Sequence, residues 1–339
     1  MLRKIRIFFG RVKTMSFKTM FDIIDQIHKE FRQPKIVTLI DMVICALTAN
    51  IGYLDYHVFG FAKVKGAKRK TFMTMNQNLS LVRQVNNPDD FKIFDNKVLF
   101  FEHFGDFTGR GFLNLEGKTA ADLESFCKGK DVVFAKQTQT FGGQGITKEV
   151  ISPETDFSAL FTKLTENKQY LIEDAIVQHP KMQELYSGSV NTMRMVTLVD
   201  NSNKAHFMYA LIRMGQKGAK VDNISSGGMY SPVNSNGIIT HAAFCDKEGI
   251  CHDVHPTSGT KLIGFEIPYF KEAVELVKKA ALVVPGMRYI GWDIAITPNG
   301  PILVEGNNFP SYDMVQNYRH RDTDEGIKAK FEEVMGVKL

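Results

Sequence analysis

The sequence has few cysteines and no long, uninterrupted apolar run. Four cysteines among 339 residues are too few for a disulfide framework, which favours a reducing cytosol. The apolar stretch 36–48 is short and contains Asp41, so it predicts a buried helix and not a membrane span. No long apolar run or cleavage site follows the basic N-terminus, and we therefore expect no secretory signal. We expect a cytoplasmic protein, with attachment to the periphery of the inner membrane left open.

Spacings typical of zinc sites are missing too. Five residues of zinc-binding types occur close together in the sequence: His241, Cys245, Cys251, His252 and His255. No CxxC or HxxxH pair sets their spacing, so we favour a structural role and leave metal binding by them open. The sequence also has no internal repeat and no low-complexity linker.

Positive charge is concentrated near the N-terminus. Residues 1–70 carry 14 Lys and Arg against 5 Asp and Glu, whereas the remainder carries 28 against 32. Such a segment can contact an anionic membrane surface, an acidic polymer or a partner protein, or it can simply be a solvated face. Aromatic residues are not interleaved with the cations as in nucleic-acid platforms, so we expect no nucleic-acid binding.

The N-terminal 85 residues predict a mainly helical region. Apolar residues recur at spacings of three and four over 17–31, with Ser16 as a candidate N-cap. A second helix is predicted from Pro34 to Ala49. The aromatic-rich stretch 53–61 is a candidate for docking this helical region onto the next domain. No βαβ pattern occurs in this part of the chain.

A predicted β-hairpin over 289–310 carries a candidate metal site. Alternating apolar residues form its first strand, a Pro-Asn-Gly turn follows at 298–300, and a short apolar strand returns. Asp293 lies on the first strand, while Glu305 and Asn307 end the second. These oxygen donors can converge on one side of the hairpin, where they suit Mg²⁺ better than zinc. An ordinary hairpin with charged ends is the alternative.

A lysine and a glycine-rich loop predict a second site. Lys136 ends the predicted strand 131–136 and is followed by the loop 137–146, which contains Gly142, Gly143 and Gly145. A lysine and several backbone N–H groups can bind one phosphate chain. The loop is neither a Walker A nor a Rossmann motif, so an ordinary turn is the alternative.

Further strands are predicted around polar residues. Glu173 ends the strand 170–176, with Gln178 shortly after it, and Arg194 lies on the alternating strand 189–199. Strands at 112–115 and 205–212, a hairpin over 237–255, and helices at 120–127, 269–284 and 324–337 are also predicted, the last as a surface element. Lys97 precedes an apolar stretch that predicts the start of a helix, and the glycine-containing loop 221–229 holds Asn223.

In this order the pieces resemble the ATP-grasp superfamily and, more narrowly, the sugar-transfer-associated ATP-grasp family found with envelope and capsule polysaccharide genes. The resemblance rests on the segments 95–97, 135–136, 142–145, 172–174, 178–180, 189–194 and 291–307. It implies an α+β fold in which two lobes grip ATP. With it we expect a helical N-terminal region 1–85, a small lobe 86–168 with the glycine-rich flap, and a large lobe 169–339 with the metal site. Gln137 departs from a family pattern that commonly has proline, and EGN replaces the usual EvN at 305–307.

The resemblance also implies roles for residues. Lys97 and Lys136 would hold the α- and β-phosphates of ATP under a flap formed by Gly142, Gly143 and Gly145. The backbone of Ile172 and the side chains of Glu173 and Gln178 would bind the nucleoside. Arg194 would face the γ-phosphate or an acyl-phosphate, and Asn223 would sit near the acceptor. Asp293, Glu305 and Asn307 would bind one or two Mg²⁺ ions.

The implied activity is an ATP-dependent carboxylate–amine ligase that forms an amide through an acyl-phosphate. Its partners would be a small carboxylic acid such as a sugar acid or amino acid, and an amine, in polysaccharide or related biosynthesis. Two alternatives remain: a kinase that phosphorylates a hydroxyl group in the same site, and a non-catalytic nucleotide-binding scaffold. Homo-oligomer formation and the identity of the substrates are left open by the sequence.

Overall fold

The computed structural model describes residues 16–139 and 145–339, and its internal contacts group the chain into two units. Unit 1 contains the chain up to Gln84 together with Ser311–Leu339, and unit 2 contains Val85–Pro310. The helices in chain order are α1 Phe17–Phe31, α2 Lys35–Ala49, α3 Tyr53–Val58, α4 Met75–Val85, α5 Phe91–Asp95, α6 Lys97–Thr108, α7 Ala120–Cys127, α8 Phe157–Glu166, α9 Pro180–Leu185, α10 Phe270–Ala280 and α11 Lys328–Met335. No helix in the described ranges is long and apolar enough to cross a membrane.

Unit 1 is helical, as its sequence predicts. Ser16 caps α1 by accepting a hydrogen bond from the Thr19 N–H at 3.2 Å, and α1 ends where Arg32 adopts a left-handed conformation. The core of the unit combines one face of α1 with the aromatic residues of 53–72. The prediction that the last helix is a surface element is wrong in part, because Phe331 and Met335 of α11 are buried.

The first sheet of unit 2 has four antiparallel strands in the order β1-β4-β2-β3. Its strands are β1 Phe112–Asn114, β2 Val132–Lys136, β3 Ile146–Val150 and β4 Leu171–Asp174. The predicted strands at 112–115 and 131–136 do lie in one sheet, but β4 pairs between them. Helices α7 and α8 cover one face through Leu123 and Leu164, which are fully buried against β2 and β4.

The second sheet of unit 2 has seven antiparallel strands in the order β11-β10-β5-β6-β7-β8-β9. Its strands are β5 Thr192–Val199, β6 Ala205–Met214, β7 Met229–Val233, β8 Ala243–Cys245, β9 Ile250–His252, β10 Tyr289–Thr297 and β11 Gly300–Asn307. One face is apolar, and α10 packs on it with α5 and α6. Trp292 lies fully buried in this core, as its alternation predicts.

Helix α6 contacts both sheets of unit 2. Phe101 packs against Leu171 of the first sheet, whereas Phe104 stacks on Phe100 and contacts the Trp292 ring of the second. Asn96 caps its N-terminus by accepting hydrogen bonds from the N–H groups of Val98 and Leu99. The helix therefore begins with Lys97 at the junction of the two sheets.

The three-domain division remains a prediction. Grouping by contacts instead divides the chain between Gln84 and Val85 and places Ser311–Leu339 in unit 1. The strand β4, assigned from sequence to the large lobe, pairs within the sheet of the predicted small lobe.

Candidate functional site

A cleft in unit 2 brings together several of the predicted site residues. Its walls carry the ammonium groups of Lys97 and Lys136, the side chains of Glu305 and Asn307, and apolar groups such as Leu171. Cations and oxygen donors that are distant in sequence thus meet in one cleft.

Strand register places the three candidate metal ligands on one face of the seven-stranded sheet. Asp293 of β10 lies opposite Glu305 of β11, and Gly291 lies opposite Asn307. The register shifts immediately after Asp293, which leaves Val304 as the extra residue of a β-bulge. Without that bulge, Glu305 would fall out of register with Asp293, since a one-residue slip turns every side chain to the other face.

The segment EGN at 305–307 has glycine in the middle, where the family usually has a residue with a side chain, and the space around Gly306 accounts for this difference. A Cβ atom built on Gly306 would lie 2.8 Å from the Phe94 ring and 3.0 Å from the Phe100 ring. Those rings belong to the apolar core beneath β11. The glycine therefore admits two phenylalanines at the floor of the cleft.

The two carboxylates differ in their electrostatic surroundings. Burial raises the pKa of Asp293, but the nearby guanidinium groups of Arg194 and Arg213 outweigh it and hold this pKa well below its usual range. Part of Glu305 stays open to the cleft, yet the surrounding protein and the negative charge of Asp293 raise its pKa to about 7. The pair thus carries more negative charge than its surroundings stabilise, and a divalent cation would relieve this repulsion.

Two arginines hold Asp293. Arg194 of β5 lies opposite Asp293 in register and donates from Nε to Oδ1 at 2.5 Å, and from Nη2 to Oδ2 at 3.2 Å. Arg213 of β6 reaches Oδ2 of the same carboxylate at 2.8 Å. The sequence predicts an anionic partner for Arg194, whereas Arg213, directly after the predicted strand 205–212, is not among the predicted site residues. Its signal was an arginine at the end of the strand next to β5.

A second buried carboxylate lies on the other side of Arg213. Asp222 accepts hydrogen bonds from the N–H and the hydroxyl of Thr192, and Arg213 donates to the Thr192 hydroxyl at 2.6 Å. Burial raises the pKa of Asp222 even though Arg213 and Thr192 act against it. Asn223 follows directly and caps a short 3₁₀ turn, so Asp222 anchors the loop 221–229 to Thr192 and Arg213.

On the first sheet, Glu173 is buried between two cations. Lys136 forms an ion pair with one of its oxygens, and Arg110 donates from Nη2 to the other at 3.2 Å. Burial raises the pKa of Glu173, but Lys136 and Arg110 lower it by more, so this pKa lies below its usual value. Ile172, fully buried beside it, pairs with Ala135 and Leu113.

Arg110 also links the two sheets. Its guanidinium donates to the carbonyl oxygens of Leu303 at 2.6 Å and Val304 at 3.3 Å, both on β11. Its side chain is 3% exposed. The sequence analysis did not single out Arg110, because it lies before a short strand with no motif around it.

Lys97 lines the cleft beside Lys136, the residue that precedes the glycine-rich loop. Burial lowers the pKa of Lys97, with Lys136 acting in the same direction and Glu305 against it. Gly142 and Gly143 lie outside the described residues. Gly145 has a φ of +66°, and its carbonyl accepts a hydrogen bond from the Gln137 N–H at 3.1 Å, closing the base of the loop.

Two predicted polar residues are held by the protein itself. Gln178 accepts from the backbone and side-chain amides of Asn191 and donates to the Tyr186 carbonyl, so a direct nucleotide contact by Gln178 remains a prediction. His255 stacks on Tyr186 and bonds to the Gly215 carbonyl. In the described ranges, no group of three or more His, Cys, Asp or Glu side chains is placed so that it could hold a metal ion. This finding covers the His and Cys residues at 241–255.

The model of the family described as sugar-transfer associated ATP-grasp matches residues 125–321, more than half of the chain. No curated protein matches the sequence.

Similar solved structures are ATP-grasp ligases and related synthetases. D-alanyl-alanine synthetase A from Vibrio cholerae has 12% identity and a TM-score of 0.44, over 74% of this chain and 66% of that one. N5-carboxyaminoimidazole synthetase from Staphylococcus aureus has 13% identity and a TM-score of 0.42, over 71% and 52%. The ATP-grasp ligase PsnB, complexed with minimal precursor, Mg and ADP, has 12% identity and a TM-score of 0.38, over 75% and 58%. The chain therefore spans about half to two thirds of these proteins, and their likeness says nothing about its substrates.

Proposed function

We propose, because this chain belongs to the sugar-transfer associated ATP-grasp family, that it is an ATP-dependent carboxylate–amine ligase. The observation that supports this most is the cleft in which Lys97 and Lys136 face Glu305 and Asn307. Polyphosphate binding needs cations, and phosphoryl transfer needs a metal site beside them. The cleft offers both within unit 2.

The candidate metal ligands fit Mg²⁺. Asp293, Glu305 and Asn307 supply carboxylate and amide oxygens on one face of the sheet, and the raised pKa of Glu305 marks an unneutralised pair. Of the two arginines, Arg194 alone donates to Oδ1 of Asp293, from Nε, whereas Oδ2 accepts from both, so Oδ1 keeps a lone pair for a metal ion. When bound, Mg²⁺ would neutralise negative charge on the polyphosphate. The proposal allows for either one or two bound Mg²⁺ ions.

The residues of the first sheet would bind the nucleotide. Lys97 and Lys136 would hold the α- and β-phosphates, and Lys136 would exchange part of its ion pair with Glu173 for the phosphates. Glu173 and the backbone of Ile172 would contact the nucleoside, with Gln178 supporting the same segment. The loop that includes Gly142, Gly143 and Gly145 would cover the phosphates and exclude water.

The arginines of the second sheet would act on the transferring group. Arg194 would stabilise charge on the γ-phosphoryl group, and we add Arg213, which grips the same carboxylate. Lys136 would share in this stabilisation from the other sheet. Asn223, anchored through Asp222, would contact the acceptor.

The reaction follows from carboxylate chemistry. An oxygen of the acid attacks the γ-phosphorus of ATP, the bond to the β-phosphate oxygen breaks, and ADP leaves. The amine then attacks the acyl carbon, phosphate departs, and the amine loses a proton to give the amide. We propose a sugar acid or amino acid as the carboxylate, in cytoplasmic biosynthesis of cell-envelope polysaccharide or a related product.

Nucleotide binding is the first test. Calorimetry with and without Mg²⁺ should show Mg²⁺-dependent ATP binding by the wild type and its loss in Lys136→Ala. Lys118→Ala removes an exposed lysine from a turn of the same sheet and should bind like the wild type. Absence of ATP binding at every Mg²⁺ concentration would refute the proposal.

Product analysis then separates ligase from kinase. The ligase predicts ADP and phosphate release that depends on both an acid and an amine. A stable phosphorylated product formed without amine would instead establish a kinase. Unchanged nucleotide affinity in Asp293→Ala and Glu305→Ala would argue for a non-catalytic scaffold.

A further inference from the structure

Helix α2 leaves most of its aliphatic side chains exposed. Thr38, Met42 and Cys45 are buried, but the opposite side of the helix is not. Ile36, Ile40 and Ile44 are 62%, 53% and 52% exposed, and Val37, Val43 and Leu47 are exposed too. Spacings of three and four place these residues beside one another on the helix surface. We call this set the α2 face; exposed apolar patches of this kind mark interaction sites.

The α2 face carries no free charge at its centre. Asp41, the acidic residue of α2, accepts two hydrogen bonds from Arg69, at 2.7 and 2.6 Å, and one from Lys65 at 2.6 Å. The cation at the N-terminal end, Lys35, pairs with Asp25 at 2.8 Å. The exposed surface between them is aliphatic.

Helix α1 extends this surface toward a basic segment. Helices α1 and α2 are joined by three residues, so they run in opposite directions and the start of α1 lies toward the end of α2. Phe17 and Phe21 at the start of α1 are 51% and 52% exposed. Residues 1–15 lie outside the described residues, but they lead into α1 at this end. Their sequence combines apolar residues with five Lys and Arg and has no acidic residue.

We infer that the α2 face, with Phe17 and Phe21, docks on an anionic lipid bilayer. Aliphatic and aromatic side chains would enter the interface between headgroups and acyl chains, while the cations of residues 1–15 bind anionic headgroups. The inference does not rest on the proposed enzymatic activity. It concerns unit 1 alone, and vesicle binding is measured without nucleotide.

A bilayer fits these features better than a second copy of the chain does. Protein interfaces are enriched in Tyr, Trp and Arg at their centres and form hydrogen bonds there. The α2 face offers Ile, Val and Leu, whose burial is not directional. If two α2 helices packed in parallel, they would also bring two cationic segments to the same end of the interface, where like charges repel.

Vesicle co-sedimentation of the full chain tests the inference. Vesicles consist of phosphatidylcholine alone or of equal parts phosphatidylcholine and phosphatidylglycerol, at low and high salt. The wild type should bind the anionic vesicles and be released by salt. Ile40→Asp with Ile44→Asp should reduce binding at least about tenfold. Arg3→Gln with Lys4→Gln and Arg6→Gln should cost roughly fivefold per cation removed.

Ile250→Asp is the matched control, because Ile250 is 51% exposed on β9 in the other unit. It should bind vesicles like the wild type, and circular dichroism should show that all variants keep their helices. Equal binding to neutral and anionic vesicles, or full binding by the Ile40→Asp/Ile44→Asp variant, would overturn the inference. If the wild type is a dimer, the Ile40→Asp/Ile44→Asp variant is a monomer and neither binds vesicles, the inference is also overturned, because a second copy then covers the α2 face.

Discussion

Replacing Arg110 by methionine should destabilise unit 2 strongly. The substitution keeps an unbranched side chain as far as the δ position but removes the guanidinium, whose carbon lies 4.8 Å from the centre of the Phe101 ring. Glu173 would then keep only Lys136 as a partner, and the carbonyl oxygens of Leu303 and Val304 would lose their donor. Removing one partner of a buried ion pair costs about 3–5 kcal/mol, and each lost hydrogen bond costs about 1 kcal/mol. Because Lys136 remains, we expect a loss of about 3–4 kcal/mol.

Urea unfolding followed by tryptophan fluorescence is the measurement. The chain has one tryptophan, Trp292, and it is buried in unit 2, so the signal reports on the unit that contains Arg110. The control is Lys130→Met, which breaks the ion pair with Asp174 on the same sheet. Its partners are 27% and 30% exposed, so we expect a loss of at most about 1 kcal/mol.

The pH dependence provides a second check on Arg110. The pKa of Glu173 is lowered on folding, so its contribution to the free energy of unfolding is present above the unfolded pKa and is lost as pH falls through the folded value. The difference between wild type and Arg110→Met should therefore narrow below the ordinary pKa of 4.5. A loss in Arg110→Met no larger than that in Lys130→Met at neutral pH would refute the reasoning.

Four further substitutions test local features of the fold. Gly306→Ala should lower the free energy of unfolding by about 1–3 kcal/mol, because its Cβ meets two phenylalanine rings, whereas Gly105→Ala, in open space on α6, should raise it by about 0.5–1 kcal/mol in the same urea assay. Asn96→Ala should lower the free energy of unfolding by about 1 kcal/mol, because the helix loses its N-cap, and it should weaken ATP binding in calorimetry, because Lys97 begins the capped helix. Unaltered ATP affinity would show that the cap does not position Lys97 for binding. Burial lowers the pKa of His57 to about 4, so the neutral form is favoured on folding and stability should fall as pH drops from 6.5 to 4, by up to about 3 kcal/mol. His57→Gln should flatten that dependence in denaturation curves measured by circular dichroism, and an unchanged pH slope would contradict the assignment.

Elements with strong local signals were predicted well from the sequence. The capped helix α1, the helix α7, and the hairpin of β10 and β11 all have the predicted type and nearly the predicted bounds. The cap, the spacing of apolar residues and the Pro-Asn-Gly turn act within a few residues, so they can be read without knowing the fold. The family was predicted in the same way, because its motifs occur in a fixed order along the chain.

Features that depend on contacts between distant residues were missed. The strand β4 enters between β1 and β2, and α11 buries Phe331, because both find partners far away in sequence. Arg110 and Arg213 are single residues without a motif around them. Each arginine gains its carboxylate partner only when distant strands assemble into one sheet, Arg110 with Glu173 in the first sheet and Arg213 with Asp293 in the second.

The sequence by itself determined the helical and strand segments, the order of the motifs and the chemistry of the candidate ligands. Tertiary structure alone decided that Asp293 and Glu305 face each other beside a bulge, that two arginines hold Asp293, and that Arg110 joins Glu173 of the first sheet to the β11 carbonyls of the second. The physical reason is that local propensity acts over a few residues, whereas the pKa of a carboxyl depends on every charge packed around it. Those neighbours are specified by strand register, and register is set by the packing of the whole sheet.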